Sequence, residues 1–317
     1  MEKASNPMTD CMDHRIAVLI PCYNEELTVA QVVADFKKHL PTARIIVFDN
    51  RSTDGTSARA WEAGAEVILS PRKGKGFVVR QMFEIIEGDW FIMVDGDATY
   101  PASHAQMLLS EAIANGVDMM VGRRVTPKEE LQKAYRPMHQ LGNRLVCSLI
   151  GTTFGSPIDD VFSGYRVFNC EFVKTVPLTA GGFEIEVEMT LQALSKGFRV
   201  EERDIPYGSR PEGSKSKLNT YRDGMIVLWT FASICRSYRP GLFFGLFALL
   251  FAVASLGAGI APIWDYIQFN YVYKVPLAIL ATGLAVLSAL SAAIGLILQS
   301  QLRYHNEIYK LLRRINQ

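Results

Sequence analysis

The chain has 317 residues, 49% of them apolar, and a formal net charge of +1. That length and apolar share suit one large folded domain plus a membrane segment, and a charge so near zero leaves no electrostatic footprint for a nucleic acid partner. Five cysteines (Cys11, Cys22, Cys147, Cys170 and Cys235) are odd in number and follow no metal-ligand spacing, so they read as reduced cytosolic thiols rather than as a disulfide or metal framework.

Residues 1–14 carry charges and no apolar core; they read as a flexible N-terminus and not as a signal peptide. From there strand and helix signals alternate. Continuous apolar runs predict strands over Ile16–Ile20, Ile45–Phe48, Val67–Leu69, Trp90–Val94 and Met119–Val121. Amphipathic stretches predict helices over Glu26–Leu40, Thr56–Ala63, Phe77–Ile86 and Ala102–Asn115. Short apolar strands separated by helices predict an α/β domain with a mostly parallel sheet covered on both faces. Beyond Gly122 the pattern is less regular. Met138–Phe154 reads as a helix, Val161–Phe168 as a strand, Glu184–Ser195 as a helix and Phe198–Tyr207 as an alternating strand. The domain is expected to span residues 15–218. Asn219–Tyr238, with its Tyr, Trp and Phe residues, reads as an amphipathic helix at a membrane interface, within a juxtamembrane element over 219–240.

Two uncharged apolar runs follow, Gly241–Ala261 with 21 residues and Val275–Leu298 with 24. As helices they measure about 31 and 36 Å, against a hydrocarbon core of about 30 Å. The link Pro262–Lys274 holds only Asp265 and Lys274 as charges. Residues 241–298 therefore read as a transmembrane helical hairpin, with a basic tail over 299–317. Gly257, Gly259, Gly283 and Gly295 give its helices small-residue faces suited to close packing, self-association included. Arg236 and Arg239 precede the first span, and Arg303, Lys310, Arg313 and Arg314 follow the second, against Lys274 alone between them. The positive-inside rule then sets both chain ends and the α/β domain in the cytoplasm.

In an open α/β sheet, ligands bind beyond the carboxyl ends of the strands, and the chemically interesting residues fall there. Pro21-Cys22-Tyr23-Asn24-Glu25-Glu26 follows the first strand, and Asp49-Asn50-Arg51-Ser52-Thr53-Asp54-Gly55-Thr56 the second. Lys73-Gly74-Lys75-Gly76 follows the third, Asp95-Gly96-Asp97 the fourth and Arg123-Arg124 the fifth. If strand geometry persists through Asp95-Gly96-Asp97, both carboxylates point to one side, and the glycine lets a ligand approach. Two such carboxylates repel unless a cation lies between them. Mg2+ or Mn2+, hard ions that bridge carboxylates to substrate phosphates, would neutralise a departing diphosphate. The alternative is a plain Asp/Gly turn. Asp49 can accept from a base or ribose, whereas Asp54 through Thr56 read as a turn and helix cap. The Gly-Lys-Gly segment can hold diphosphate oxygens through backbone N–H groups and the Lys75 ammonium, or be a solvated turn. Cys22 reads as small filler.

Taken together, the P-x-Y-N-E opening, the D-x-x-S-x-D-G-T loop, G-K-G, D-x-D and V-G-x-R resemble the inverting glycosyltransferases of the GT-A fold, family 2. Asp159 through Arg166, Gly182 through Glu186, and Arg210 through Leu218 narrow the likeness to the polyprenyl-phosphate glycosyltransferases, a group that includes dolichol-phosphate mannose synthase and the bacterial undecaprenyl-phosphate enzymes. The resemblance runs from Ile16 to about Asp223, and the two-span tail matches the bacterial type. It implies a donor side made of Pro21, Tyr23, Asn24, Glu25, Asp49, Lys75 and Asp95. It implies a metal on Asp95 and Asp97, and an acceptor phosphate met by Arg124, Arg210 and Lys217, with Arg136 and Arg144 as weaker candidates. Asp97 and either Asp159 or Asp160 are the implied catalytic acids. The family's usual D-D-G-S loop is Asp49-Asn50-Arg51-Ser52 here, which leaves the nucleotide open; UDP-hexose is favoured over GDP-mannose on family frequency.

The expected reaction moves one sugar from a nucleotide-diphosphate sugar to a polyprenyl phosphate, undecaprenyl phosphate in a bacterial inner membrane. A phosphate monoester, with a second pKa of about 6, is already anionic and needs no general base. It needs charge compensation, which the metal and the basic residues between Arg199 and Arg239 would supply. A processive polysaccharide synthase is the nearest rival, but no Q-x-x-R-W segment occurs and two spans make no channel alone. An inactive membrane scaffold is the other, opposed by intact Asp95 and Asp97.

Overall fold

The computed structural model describes residues 14–125, 137–182, 184–208 and 232–315. They belong to two compact units, Met1–Gly224 and Met225–Gln317. The first contains β1 (Ile16–Cys22), α1 (Val29–His39), β2 (Arg44–Asp49), α2 (Thr56–Glu62), β3 (Glu66–Leu69), α3 (Lys75–Ile85), β4 (Trp90–Met93), a single 3-10 turn at Ala102–His104, α4 (Ala105–Asn115), β5 (Met119–Val125), α5 (Pro137–Phe154), β6 (Arg166–Asn169), α6 (Cys170–Thr175), α7 (Ile185–Ser195) and β7 (Val200–Pro206).

The sheet has seven strands in the order β3-β2-β1-β4-β6-β5-β7. Every pairing is parallel except the two that β6 makes with β4 and β5. β1 and β4 are central, and their uninterrupted apolar sequences are buried almost throughout, as expected of strands covered on both faces. On one face α1 and α4 bring Val29, Val33, Phe36, Leu108 and Leu109 onto Val18, Ile20, Ile92 and Val167. On the other, Phe83 of α3, Phe168 of β6, Phe172 of α6 and Phe198 pack with ring centroids 5.2–6.3 Å apart.

Two boundaries and one further helix depart from the sequence expectation for a traceable reason. α1 starts at Val29 rather than Glu26, because the backbone N–H groups of Glu25 and Glu26 donate to Thr56 Oγ1 (2.9 Å) and Asp54 Oδ2 (3.3 Å). β6 starts at Arg166, not Val161. The buried Arg166 guanidinium donates back to the carbonyls of Val161 (2.7 Å) and Ser163 (2.9 Å), which removes them from any ladder. The short helix α6 went unread; Asn169 caps it by accepting from Phe172 N at 2.8 Å.

In the second unit, residues 232–238 are helical, and α8 (Pro240–Phe269) and α9 (Val275–Ile315) follow. Both are long and apolar enough to cross a membrane. They pack against each other and are joined by hydrogen bonds from Ser255 Oγ to Ala281 O and from Ser288 Oγ to Ala248 O, each 2.7 Å. Gly241 N donates to Gln299 Oε1 at 3.3 Å. Leu246, Leu256 and Leu296 are about 70% exposed on the outside of the pair. The link expected over Pro262–Lys274 is shorter than it reads: α8 continues through Pro262 to Phe269. Asp265 is thus a helical residue, buried, with Lys274 Nζ 3.7 Å away. The first part of the expected juxtamembrane helix, 219–231, lies outside the described residues.

Phe168 is fully buried and touches the rings of both Phe83 and Phe172. Phe168→Ala is expected to cost about 3–5 kcal/mol, the range for deleting a large core aromatic. Thermal unfolding of the full-length protein in detergent would register this as a markedly lower Tm.

Candidate active site

The loops at the carboxyl ends of β1, β2 and β4, the start of α3 and the segment before β6 are fixed by named contacts. Asn24 adopts φ 53°. Its N–H donates to Ser52 Oγ (2.9 Å), and its Oδ1 accepts from Thr53 N (2.8 Å). These bonds tie the β1 loop to the β2 loop. Asp49, 4% exposed, accepts from Ser52 N (2.8 Å) and from the Ser57 hydroxyl. Its carboxylate is occupied in holding its own loop, a role the sequence did not reveal. Asp54 Oδ1 accepts from Thr56 N and Thr56 Oγ1 (3.1 and 2.5 Å), the turn role expected of it, while the N-cap position of α2 is Gly55, which makes no side-chain bond. Burial alone would raise the Asp54 pKa, but these bonds outweigh burial and hold it below the ordinary value. Pro21 is part of β1, and Tyr23 OH accepts from Lys73 Nζ at 2.8 Å. Glu25 is half-buried in the same loop.

The Gly-Lys-Gly segment runs into the first turn of α3. Gly74 has φ 137° and its N–H donates to Asn50 Oδ1 at 3.1 Å. A side chain at Gly74 or Gly76 would collide with the carbonyl oxygens of Gly181 and Ala180, respectively. These glycines therefore admit the chain that leads into α7, and that approach sets Lys75 opposite Glu186. Lys75 Nζ lies 2.5 Å from both Asp95 Oδ1 and Glu186 Oε1. The side chains of Lys75 and Glu186 are 11% and 4% exposed, and that of Asp95 is 28% exposed. Burial disfavours the charged ammonium, but the two carboxylates outweigh it and keep the Lys75 pKa above its ordinary value. Burial likewise raises Glu186, against the pull of Lys75. Glu186 Oε2 is buried without a hydrogen-bond partner among the described residues. Sequence reasoning quoted Glu186 within a motif but gave it no role.

Asp95-Gly96-Asp97 lies in a turn beyond β4, which ends at Met93, so the expected strand alternation does not apply. Gly96 also has a different function from the one expected. A side chain there would strike the buried Cys22 sulfur, so Gly96 makes room for Cys22 rather than for a ligand. Burial pushes the Cys22 thiol well up and keeps it a neutral filler. Asp97 is 4% exposed and accepts from Thr99 Oγ1 (2.6 Å) and Thr99 N (3.2 Å). Asp95 instead opens toward Gly164, where a Cβ would sit 2.5 Å from its Oδ2. Gly164 N in turn donates to Tyr100 OH at 3.0 Å.

Arg124 makes a bidentate pair with Asp160, Nε to Oδ2 and Nη2 to Oδ1, both 2.7 Å, and its backbone N–H adds a third bond. Asp160 is 6% exposed at the side chain. Glu202, raised by burial, accepts from the backbone N–H groups of Asp159 (2.8 Å) and Asp160 (3.0 Å). Asp159 is 63% exposed and pairs with Arg123, which also holds Asp204. The two acids that the sequence left level are therefore unlike. Asp160 is a buried partner of Arg124, and Asp159 a surface partner of Arg123. Arg166 takes its bonds from Ser163, Val161 and Thr190 rather than from either acid; burial lowers its pKa to about 10. Arg144 lies exposed on α5, and Arg136, Arg210 and Lys217 lie outside the described residues.

Among the described residues no group of three or more His, Cys, Asp or Glu side chains could hold a metal. The acids at hand still suit a hard divalent ion that keeps water and substrate oxygens among its ligands. They are oxygen donors, and Asp95 already holds a cation, the Lys75 ammonium.

Residues 17–176 match the model of Glycosyl transferase family 2. Glycosyltransferase AglJ of Haloferax volcanii is 32% identical over 260 residues, 82% of this chain and 83% of its own. The dolichyl-phosphate hexose transferase of the same organism is 25% identical over 232 residues, 73% of this chain and 99% of its own. Glucosyl-3-phosphoglycerate synthase from Mycobacterium tuberculosis, solved in complex with Mn2+, uridine-diphosphate and phosphoglyceric acid, has a TM-score of 0.60 at 17% identity, over 72% of this chain and 80% of its own. That likeness is one of fold.

Asp160→Ala takes from the Arg124 guanidinium, 15% exposed, the carboxylate that binds it in bidentate fashion. Breaking such a pair from one side is expected to cost about 3–5 kcal/mol. Asp159→Ala removes only an exposed partner and keeps the backbone bonds; a loss under about 1 kcal/mol is expected. Comparing the Tm of the two variants with the parent checks both.

Proposed function

The chain belongs to glycosyl transferase family 2 and has the GT-A fold, and from that premise we propose that it transfers a single sugar, with inversion, from a nucleotide-diphosphate sugar to a polyprenyl phosphate at a membrane face. The observation that carries this reading is the joining, in one chain, of a GT-A domain to two helices apolar enough to cross a membrane. The name of the relative that is a dolichyl-phosphate hexose transferase supports the same acceptor class. The uridine-diphosphate of the solved neighbour supports a UDP-sugar as donor.

In this reading, a phosphate oxygen of the acceptor attacks the anomeric carbon. The bond from that carbon to the donor diphosphate breaks, and the nucleoside diphosphate leaves with the electron pair. The acceptor is already anionic, so no side chain has to remove a proton. Asp95 and Asp97 would hold a divalent cation, Mg2+ or Mn2+, which would offset the charge of the leaving diphosphate. Lys75 adds an ammonium at Asp95. The loop fixed by Asn24, Asp49 and Ser52 presents Tyr23 and Glu25 to the nucleotide. Arg124 is already engaged by Asp160, so most of the compensation for the acceptor phosphate falls to Arg210 and Lys217. Arg236 and Arg239 before α8 and the basic end of α9 put both chain ends and the GT-A domain on the cytoplasmic side of a bacterial inner membrane.

Two measurements test the reading. Asp97→Asn or excess EDTA is expected to lower transfer by orders of magnitude; full activity in EDTA would overturn the metal. Arg210→Ala removes a charge-assisted contact worth roughly 1.5–3 kcal/mol, so initial rates at subsaturating undecaprenyl phosphate should fall by roughly one to two orders of magnitude. Donor affinity should change far less. A wild-type enzyme that glycosylates free polyprenol but never the phosphate would refute the acceptor.

A further inference from the structure

The pairing of one ammonium with two carboxylates is uneven in a telling way. Lys75 Nζ is equidistant from Asp95 and Glu186, at 2.5 Å. Asp95 faces the half-open side, at 28% exposed, and is the acid that the proposed function gives to the cation. Glu186 faces inward at 4%, on the first turn of α7, and contributes no atom to any ligand in that reading. One ammonium and two carboxylates sum to about −1, and the buried Arg166 guanidinium acts electrostatically on Glu186 as well. A divalent cation arriving at Asp95 would bring a second positive charge against the ammonium, and like charges at such range repel strongly when water is scarce. Glu186 offers the ammonium a place to go without leaving the interior. Glu186 is already in contact, and its Oε2 is buried with no partner among the described residues, so it has spare capacity to accept.

The frame around the pair is firm. Gly74 and Gly76 back onto the carbonyls of Gly181 and Ala180, and Gly164 confines Asp95 from the other side. A shift of the ammonium therefore requires a change of side-chain torsions in Lys75 and little movement of backbone.

We propose that Lys75 is a displaceable stand-in for the cation, neutralising Asp95 in the free enzyme and moving onto Glu186 when a divalent ion binds, and that Glu186 is the positioning residue that makes this exchange reversible. The inference rests on the reading that Asp95 holds a divalent cation. It differs from a fixed ion triad in how two effects combine. Removing the ammonium removes a competitor for Asp95, so Lys75→Gln should bind Mn2+ more tightly. Removing the refuge confines the ammonium to Asp95, so Glu186→Gln should bind Mn2+ more weakly. A fixed triad gives the same two signs by charge alone, but there the two shifts add, whereas under exchange Glu186→Gln weakens binding chiefly while Lys75 is present.

The experiment is titration of the full-length protein in detergent with Mn2+, following free ion by its paramagnetic resonance, with UDP held at saturation for each variant. Lys75→Gln is expected to lower the Mn2+ Kd by roughly threefold to tenfold and Glu186→Gln to raise it by a similar factor, a decade being about 1.4 kcal/mol. The charge-balanced pair Lys75→Gln with Glu186→Gln guards against misfolding of the single Lys75 variant. It should bind Mn2+ about as tightly as Lys75→Gln alone, and a double variant whose shift equals the sum of the two single shifts would overturn the exchange. Weaker binding in the Lys75 variant and the double variant alike would overturn the exchange and leave the metal reading standing. If the wild type bound no Mn2+ while still transferring sugar in EDTA, the metal reading itself would fall and this inference with it.

Discussion

An ammonium buried between two carboxylates sets the terms for the rest of the site. Charges are expensive to remove from water unless they are paired with good geometry. Lys75 is paired twice, at 2.5 Å each, and that requirement reaches outward. The chain before α7 has to come close enough for Glu186 to arrive, and glycines at 74 and 76 are what let it. The β4 turn has to present Asp95 from the other side, and Gly164 leaves room for its carboxylate. The parallel sheet brings these segments to one edge, and the ion pairs select the few backbone shapes that satisfy them.

A second polar layer lies beside the first, where β5 and β7 end. Glu202 receives the backbone N–H groups of residues 159 and 160, and Asp160 receives Arg124 three times over. Tyr207 adds a ring 5.3 Å from the Arg124 guanidinium. The cation is thus held between the ring and the Asp160 carboxylate. An arginine so constrained defines one wall of a site better than it supplies free charge.

Much of the fold was legible because strand burial leaves a plain signature. Ile16–Cys22 and Trp90–Met93 are apolar without interruption, and both are central. The order of loops at the strand ends was legible for the same reason. What the sequence could not show was which polar groups find each other across long separations. Asp49 read as a ligand contact, and its partners within the chain, Ser52 of its own loop and Ser57 at the start of α2, did not show in the sequence. Gly96 read as room for a ligand, yet the room is taken by Cys22. Glu186 follows Lys75 by more than a hundred residues, and nothing local marks it as the acid that Lys75 meets. Asp159 and Asp160 are adjacent and chemically identical, and only burial separates them. The strand read at Val161 failed because a side chain, the Arg166 guanidinium, took the carbonyls that a ladder needs.

The helical hairpin obeys a different balance. Its outer surface is apolar and exposed, as suits a pair of helices long and apolar enough to cross a membrane. Between helices of that kind the hydrophobic effect offers little preference for one contact over another, and packing and polar contacts decide. Ser255 and Ser288 each bond to a carbonyl of the opposite helix, and Gln299 reaches the backbone at Gly241. These contacts are spread along the pair and fix one helix against the other in register. Asp265 and Lys274 extend that pinning to the turn, where the chain reverses at Asn270 with φ 51°. A hairpin registered at both ends and in its middle behaves as one element. It is a paired element of defined shape, long and apolar enough to cross a membrane, and not merely an apolar tail.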